Sequence, residues 1–346
     1  MRLILSAALL ASVVFVYGCG SSGTSSAYPF QIIEFSVPVA GNSPSSSHPG
    51  CWPDDLRSDT DGNLWFAQHH SNEVGRMSSN GVYTGYQVST PNSVMDGILV
   101  DSPRNAVWAT QSGASQIVRI DMRTGTVIEI PTPTSNAVPG DLALAPDGSI
   151  WFSAGYEDEG GTTRIARIDP ANNHIDEFAP STMRNGTDGI IVAKNGVVWF
   201  CEINDDRLGK YSNGQFTEYV LPRPNALPTN LAEDSQGRIW ITEQAINSVA
   251  IFDPAASSWT EISFPEANSR PGGIIIDASD NVWTALPGSN RIGLIVHGTK
   301  KAVTFLIPTP NCRPEDICVT PQGRVYFTEQ FGNKIGEIKV SGITPP

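Results

Sequence analysis

Short runs in which apolar and polar residues alternate recur along most of the chain. The run Phe-Thr-Glu-Tyr-Val at residues 216–220 is one example, and turns such as Pro-Asp-Gly at residues 146–148 separate neighbouring runs. A period of two is typical of half-buried β-strands, so the pattern predicts an all-β protein. The composition agrees, because 32 glycines and 26 prolines supply an unusually large share of turn residues.

An aromatic residue recurs inside one of these runs in every unit of about 43 residues. The spacings between successive aromatics are 43, 43, 48, 41, 43 and 43 residues. The seven positions are Trp65, Trp108, Trp151, Trp199, Trp240, Trp283 and Tyr326. Each unit contains four strand-like runs, and four strands at this period are typical of a β-propeller blade. The sequence therefore predicts a seven-bladed β-propeller of four-stranded blades.

The ends of the repeat array predict how the ring closes. The seventh unit stops near residue 340 without a fourth strand, whereas residues 32–35 form a strand-like run with no blade of its own. We expect this N-terminal strand to complete the last blade, which removes an exposed sheet edge. The predicted domains are a lipoprotein signal peptide at residues 1–18, a flexible tether at 19–29 and one propeller at 30–346.

The N-terminus indicates export. Arg2 precedes an apolar stretch at residues 3–16, which has the length of a signal peptide rather than of a membrane span. Cys19 follows this stretch and precedes a Gly/Ser-rich run, an arrangement that resembles a bacterial lipobox, in which the cysteine is lipidated. We expect a lipid-anchored protein of the bacterial cell envelope, with the anchor as its only membrane contact. Alternatively, the leader is an ordinary secretory signal with an incidental cysteine.

The charge balance narrows the choice of partners. The chain carries 35 acidic and 22 basic side chains, for a formal charge of −13. Such a surface repels phosphate backbones, so nucleic acid is excluded as a partner. Cations and neutral or cationic small molecules or peptides remain, and we expect the protein to be a monomer.

Two sets of positions are predicted to converge on one mouth of the central channel. The first set stands just before the inner strand of each unit and comprises Asp54, Asp96, Gly140, Asp188, Thr229, Gly272 and Glu315. The second set stands three residues after each aromatic and comprises Gln68, Gln111, Ala154, Glu202, Glu243, Leu286 and Glu329. Carboxylates occupy seven of these fourteen positions, so an acidic mouth is expected.

Clustered carboxylates repel one another unless a cation or protons intervene, and their oxygens favour hard ions. We expect Mg²⁺ or Ca²⁺ at the mouth, held by Asp54, Glu315 and Glu329. His69 and His70 follow Gln68 on the same face and are candidate metal or base residues. Ligand contacts are expected from Gln68, Asp96, Asp188, Glu202 and Glu243. In the alternative interpretation, the acids bind backbone amides of neighbouring blades.

The cysteines predict one disulfide. Besides Cys19, the chain contains Cys51, Cys201, Cys312 and Cys318 in an exported setting. Cys51 and Cys312 each stand fourteen residues before the aromatic of their unit, at equivalent points of adjacent blades. A bridge between them would lock the seam where the ring closes.

Several segments of the chain resemble the streptogramin B lyase (virginiamycin B lyase) family. The matching sequence segments are DGNLWFAQH, RVYFTEQFGNKIGEI, FTEYVLP, VIEIPTP and LIPTP. The resemblance covers about residues 30–340. It implies a seven-bladed propeller that opens a cyclic depsipeptide by elimination at its ester, with a histidine base and Mg²⁺.

The resemblance also shows where this chain departs from the family pattern. The position of the family's catalytic His is Glu315, and that of a substrate-contacting His is Gly272. Arg313 stands in place of one metal-binding Glu, while Glu329 approximates the other metal ligand and His69 is retained. Loss of a positioned base lowers a rate by about 10²- to 10⁴-fold. Glu315 is able to replace it only if burial among the other acids raises its pKa.

Two functions follow from these residues. The first is a metal-dependent lyase or hydrolase that acts on a lactone, ester or cyclic peptide. The second is a non-catalytic propeller that binds a ligand or protein through the same face. A gluconolactonase-like hydrolase is disfavoured because those propellers have a six-bladed pattern.

Overall fold

The computed structural model describes residues 28–38, 50–155, 163–179, 186–299 and 301–343, together with the two-residue strand Ala7–Ala8. This short strand pairs with Tyr83 and Val82 at the outer edge of the first blade. Cys19 and the predicted tether up to residue 27 lie outside the described residues. In the described ranges the helical elements are two 3₁₀ turns, Ser102–Arg104 and Ser112–Ala114.

The strands form seven antiparallel sheets, which are blades 1 to 7 of a propeller. The inner strands are Pro53–Ser58, Met95–Asp101, Pro139–Leu144, Thr187–Val192, Pro228–Glu233, Ile274–Ile276 and Pro314–Val319. The second strands carry the repeated aromatic and are Leu64–Gln68, Ala106–Gln111, Ile150–Ala154, Val198–Glu202, Ile239–Glu243, Val282–Leu286 and Val325–Glu329.

The two remaining strands of each blade lie towards the outside of the ring. The third strands are Glu73–Met77, Gln116–Asp121, Arg164–Asp169, Arg207–Ser212, Ser248–Asp253, Arg291–Ile295 and Lys334–Val340. The outer strands are Val82–Gln87, Val127–Pro131, His174–Phe178, Gln215–Val220, Ser258–Ser263, Ala302–Leu306 and, for blade 7, Phe30–Ser36. This arrangement confirms the predicted seven-bladed propeller.

The N-terminal strand closes the ring as the sequence predicts. Phe30–Ser36 pairs antiparallel with Lys334–Val340, and Ile32 lies opposite Ile338. Glu34 accepts hydrogen bonds from Thr309, just as Glu129 accepts them from Thr90 between blades 1 and 2. The N-terminal strand therefore makes the same contact with the preceding blade as an ordinary outer strand.

The hydrophobic core consists of layers between blades. Seven clusters of buried residues each join two consecutive blades, and the seam between blades 7 and 1 has a cluster like the others. The repeated aromatic packs against the next blade, as Trp65 does in the layer between blades 1 and 2. The aromatic period in the sequence is therefore the period of blade-to-blade packing.

In six of the seven blades the inner strand begins with an irregular step that positions the mouth residues. In blade 1, Pro53 pairs with Gln68 and Leu56 pairs with Phe66, so the two residues between them fall out of register. The same shift occurs in blades 2, 3, 4, 5 and 7. Such bulges bend a strand and redirect its side chains. We call the two residues that fall out of register in each of these six blades its bulge pair.

Candidate functional site at the channel mouth

The bulge pairs line one cavity of about 310 Å³ at the mouth of the channel, which we call the mouth cavity. Its carboxylates come from blades 1, 2, 3, 4 and 7 and are Asp54, Asp55, Asp96, Asp141, Asp188, Glu315 and Asp316. The cationic side chains His69, Arg270 and Arg313 also line it. Carboxylates outnumber cations, so the cavity favours neutral or cationic ligands over anions. The structure thus brings together the predicted residues of the first set.

The second predicted set lies inside the blades instead. Gln68, Glu202, Glu243 and Glu329 are at most 2% exposed, and none of them lines the mouth cavity. Gln68 donates hydrogen bonds to Glu73 and Tyr83, and Glu243 accepts one from Ser248. The second strand is covered by neighbouring blades on both faces, which directs its last side chain into the protein.

This placement changes the predicted metal ligands. Of Asp54, Glu315 and Glu329, only the first two line the mouth cavity. Glu329 is 0% exposed and does not line the mouth cavity. Burial and the nearby Glu34 raise its pKa to about 8, so it is mainly a neutral acid at pH 7. Glu329 is therefore not in a position to share an ion with Asp54.

The buried carboxyl groups predict how stability depends on pH. Burial raises the pKa of Glu202 and of Glu243 to about 7, from an ordinary value of 4.5. A raised carboxyl pKa contributes stability that is present below pH 4.5 and is lost as pH rises through the folded-state value. We expect Glu243→Gln to raise the free energy of unfolding by about 1–3 kcal/mol at pH 8.5 and by less at pH 5.

Urea denaturation of the variant and the wild type at both pH values measures this effect. Gln is compatible with the position, because Gln68 occupies the equivalent point of blade 1 and the Ser248 hydroxyl is still able to donate to the amide oxygen. Asp61→Asn, at an exposed turn, is the control and should change little. Equal stability gains at pH 5 and pH 8.5 would contradict the assignment.

An ion network that the sequence reasoning missed forms the floor of the mouth cavity. Arg57 Nη1 lies 2.6 Å from Asp316 Oδ2, and its Nη2 lies 3.5 Å from Asp141 and 3.6 Å from Asp55. These aspartates are the second members of their bulge pairs, in blades 7, 3 and 1. Asp316 also accepts a hydrogen bond from the backbone N–H of Leu56. The network therefore links three blades across the channel.

The sequence carries a signal for Arg57. It pairs with Trp65, the repeated aromatic of its blade, and the residues that pair with the other six aromatics are Leu99, Ala143, Ile191, Ala232, Ile275 and Cys318. A charged residue thus stands where every other blade has an apolar one. Such an exception within a repeat indicates that Arg57 has a role in the channel that the equivalent apolar residues do not have.

His69 lies between two carboxylates of the mouth. Its Nδ1 is 2.8 Å from Asp96 Oδ1 and 3.3 Å from Asp54 Oδ2. Burial opposes a charge on His69, but the two carboxylates outweigh that effect and raise its pKa to about 10. The ligand atoms of all three residues lie within 4.8 Å of one another, as in a metal-binding trio. His69 is therefore cationic at neutral pH and is not a free base.

His70 takes a different position from its neighbour. Its ring stacks on Trp52 with 3.9 Å between ring centroids, and it does not line the mouth cavity. Burial and the charge of His69 lower its pKa, so it is neutral at pH 7. Trp52 in turn contacts Phe331 of blade 7 at 4.9 Å between centroids. His70 thus belongs to an aromatic group at the seam.

Glu315 lies in the mouth cavity beside Arg313, among other carboxyl groups. It lines the mouth cavity, and its Oε2 is 3.1 Å from Arg313 Nε. Burial and the charge of Asp54 raise its pKa to about 7, against the opposing effect of Arg313. Asp188 lies across the cavity, and burial together with Asp141 and other acids raises its pKa well above the ordinary value. The mouth therefore holds carboxyl groups that bind protons readily at neutral pH.

The predicted disulfide between Cys51 and Cys312 is not present in the structure, so this prediction is corrected. Cys51 and Cys312 are both free and buried, as are Cys201 and Cys318. Cys51 packs in the layer between blades 7 and 1, and Cys312 in the layer between blades 6 and 7. Each accordingly bonds through its backbone N–H to a different asparagine, Asn333 or Asn290. Equivalent positions of adjacent blades are separated by a whole blade.

The fold and the site together define a seven-bladed β-propeller with a polar, largely acidic cavity at one mouth of its channel. The virginiamycin B lyase family model matches residues 31–286 and 158–344. The chain therefore belongs to the virginiamycin B lyase family. A comparison with curated proteins finds no match. Among the described residues, no helix has the length and apolar character needed to cross a membrane.

Solved structures of similar proteins agree with this assignment. A streptogramin B lyase is 25% identical, with 90% of this chain and 98% of that chain covered and a TM-score of 0.81. Virginiamycin B lyase from Staphylococcus aureus is 23% identical, with 90% and 99% covered and a TM-score of 0.79. A catalytically inactive form of that enzyme with quinupristin gives the same values. At these lower identities the likeness concerns the fold.

Proposed function

We propose that the mouth cavity is the active site of a lyase that opens a lactone, an ester or a cyclic peptide ester. The observation that carries the proposal is Glu315, which lines this cavity with a pKa of about 7. A general base is most effective when its pKa lies near the working pH. Glu315 also stands where the family to which this chain belongs has its catalytic His. In this chain a glutamate would therefore act as the base at the position that the histidine occupies in the family.

In the proposed reaction, Glu315 removes a proton from the carbon next to the one that bears the ester oxygen. The electron pair of that C–H bond forms a double bond, the C–O bond breaks, and the carboxylate leaves with the electrons of the C–O bond. Arg313, which contacts Glu315, is suitably placed to orient the base. The product of a cyclic substrate is then a linear chain of unchanged mass.

The trio of Asp54, His69 and Asp96 fits a divalent cation. Two carboxylates and one imidazole converge, and His69 Nδ1 is a buried atom without a well-aligned hydrogen bond. A hard ion such as Mg²⁺ or Ca²⁺ would suit the carboxylate oxygens of Asp54 and Asp96, and neutral His69 would supply Nδ1 as a third ligand. When bound, such an ion would polarise the ester carbonyl group of the substrate as a Lewis acid.

The charges that line the mouth cavity restrict the charge of the substrate. Anionic substrates meet repulsion from the acids of blades 1 to 4, whereas Arg270 and Arg313 lie together on blades 6 and 7. A neutral or cationic macrocycle is therefore the expected substrate, with any carboxylate that the reaction releases nearest to the two arginines. This arrangement also favours release of an anionic product from the acidic side of the mouth.

The decisive experiment incubates the protein with a panel of cyclic depsipeptides and lactones, including a type B streptogramin, and follows the products by mass spectrometry. We expect turnover of at least one member without a change in mass, and inhibition by EDTA. Glu315→Gln should lower kcat by about 10²- to 10⁴-fold, because it removes the base but keeps the side-chain shape. For the streptogramin we expect little turnover, and Glu315→His should increase it.

The outcomes separate the possible functions. A product that gains the mass of one water indicates hydrolysis rather than elimination. Full activity in Glu315→Gln contradicts the assignment of the base. No turnover across the panel, together with measurable ligand binding at the mouth, favours the non-catalytic propeller. Arg167→Gln, on the exposed surface far along blade 3, is the control for general effects on folding.

We also propose that Cys19 carries a lipid that anchors the protein in the cell envelope. The support is the position of this cysteine after the apolar leader and before the Gly/Ser-rich tether. We expect Cys19→Ser to move the protein from the membrane fraction to the soluble fraction after expression in a bacterium. Detergent-phase partitioning measures the change, and a Cys318→Ser variant is the control. Equal partitioning of wild type and Cys19→Ser would exclude lipidation.

A further inference from the structure

A second cavity lies on the other side of the Arg57 network, at the opposite end of the channel. Its volume is about 320 Å³, which is within the range of small-molecule sites. We call it the lower cavity. Its walls include the six apolar residues that pair with the repeated aromatics, Leu99, Ala143, Ile191, Ala232, Ile275 and Cys318. The channel is therefore polar at the mouth and apolar below the network.

Polar groups are concentrated where the two cavities meet. Asp141, Asn230 and Asp316 line both of them, while Arg57 lines only the lower one. Glu233 adds a further acid to the lower cavity. Its lining thus contains more carboxyl groups than cations.

We propose that the lower cavity binds a small organic cation with an apolar body, such as an alkylammonium ion. The alkyl part would contact the six apolar side chains and leave water, which is favourable in proportion to the area buried. The ammonium group would donate hydrogen bonds to Asn230 and Asp141. An anionic amphiphile would instead meet the three carboxyl groups of Asp141, Asp316 and Glu233 against the single cation Arg57. This site adjoins the mouth cavity but does not depend on the proposed lyase reaction.

Three probes of equal chain length test the charge preference. Titration calorimetry with hexylammonium chloride, hexanol and sodium hexanoate is carried out on the full mature chain. We expect one hexylammonium ion per protein, bound at least tenfold more tightly than hexanol, and no detectable binding of hexanoate. Equal affinity for hexylammonium and hexanol, or measurable binding of hexanoate, would overturn the proposal.

Substitutions locate the binding site. Ala232→Leu fills part of the lower cavity and should weaken hexylammonium binding at least tenfold. Ile191→Phe, at a partly exposed wall position, should do the same and serves as a second variant if Ala232→Leu does not fold. Thermal denaturation verifies folding in each case. Asp188→Asn changes the mouth cavity only and should leave the affinity unchanged.

The same variants distinguish the two cavities. If Asp188→Asn abolishes hexylammonium binding while Ala232→Leu and Ile191→Phe do not, the ion binds at the acidic mouth and the proposal is wrong. Lyase activity measured in parallel shows whether Ala232→Leu has disturbed the mouth. Because the expected result at the lower cavity does not require turnover, failure of the lyase assay leaves this test unaffected.

Discussion

Removal of the N-terminal strand is expected to destabilise the whole ring. A chain that begins at Asn42 lacks Phe30–Ser36, which pairs over its full length with Lys334–Val340. It also loses Ile32, which is 0% exposed in the layer between blades 6 and 7. Burial of one such side chain contributes about 1.5–3 kcal/mol, and the strand supplies Glu34 as well. We expect the free energy of unfolding to fall by about 5 kcal/mol or more.

Thermal denaturation followed by circular dichroism measures this loss. For a domain of this size we expect the midpoint to decrease by at least about 10 °C. A chain that begins at Tyr28 retains Phe30–Ser36 and is the matched control, so it should melt at the higher temperature. The unpaired edge of blade 7 should also promote self-association of the shorter chain. Identical melting of the two chains would show that the strand does not close the ring.

Replacement of Arg57 by Met is expected to have the largest effect of a single substitution. The change preserves much of the side-chain volume but leaves Asp55, Asp141 and Asp316 without their shared counter-charge. Removal of one partner from a buried ion pair typically costs about 3–5 kcal/mol. Because the Arg57 side chain remains 29% exposed in the channel, we expect about 3 kcal/mol at pH 8.

The effect should depend on pH in a defined direction. Burial raises the pKa of Asp55 and of Asp141, so both are protonated more readily as pH falls. Protonation removes the uncompensated charges, and the loss of stability in Arg57→Met should therefore be smaller at pH 5 than at pH 8. Urea denaturation at both pH values checks this expectation.

Two further variants complete this experiment. Arg57→Met combined with Asp316→Asn should recover part of the stability, because it removes a carboxylate that the single variant leaves unpaired. Arg167→Met breaks an exposed ion pair with Asp147 and should cost less than about 1 kcal/mol. If Arg57→Met is no more harmful than Arg167→Met, the network does not stabilise the ring.

The candidate site shows which side-chain positions the sequence repeat predicts and which it does not. The first member of each bulge pair is recognisable in the sequence, because it stands at a fixed place before the inner strand. Asp54, Asp96, Asp188 and Glu315 accordingly meet in the mouth cavity. The residues three positions after the aromatic have an equally regular spacing, yet their side chains are buried within the blades. A period gives the position of a residue along a strand but not the direction of its side chain relative to the channel.

The sequence by itself determined the number of blades, their four strands and the closure by the N-terminal strand, since all three follow from local alternation and from a repeat that is counted directly. Tertiary structure decided the direction of the side chains. The bulges direct Asp55, Asp141 and Asp316 towards Arg57, and Cys51 and Cys312 pack in different layers between blades. These features depend on contacts between residues distant in the chain, and such contacts exist only once the seven blades pack into a ring.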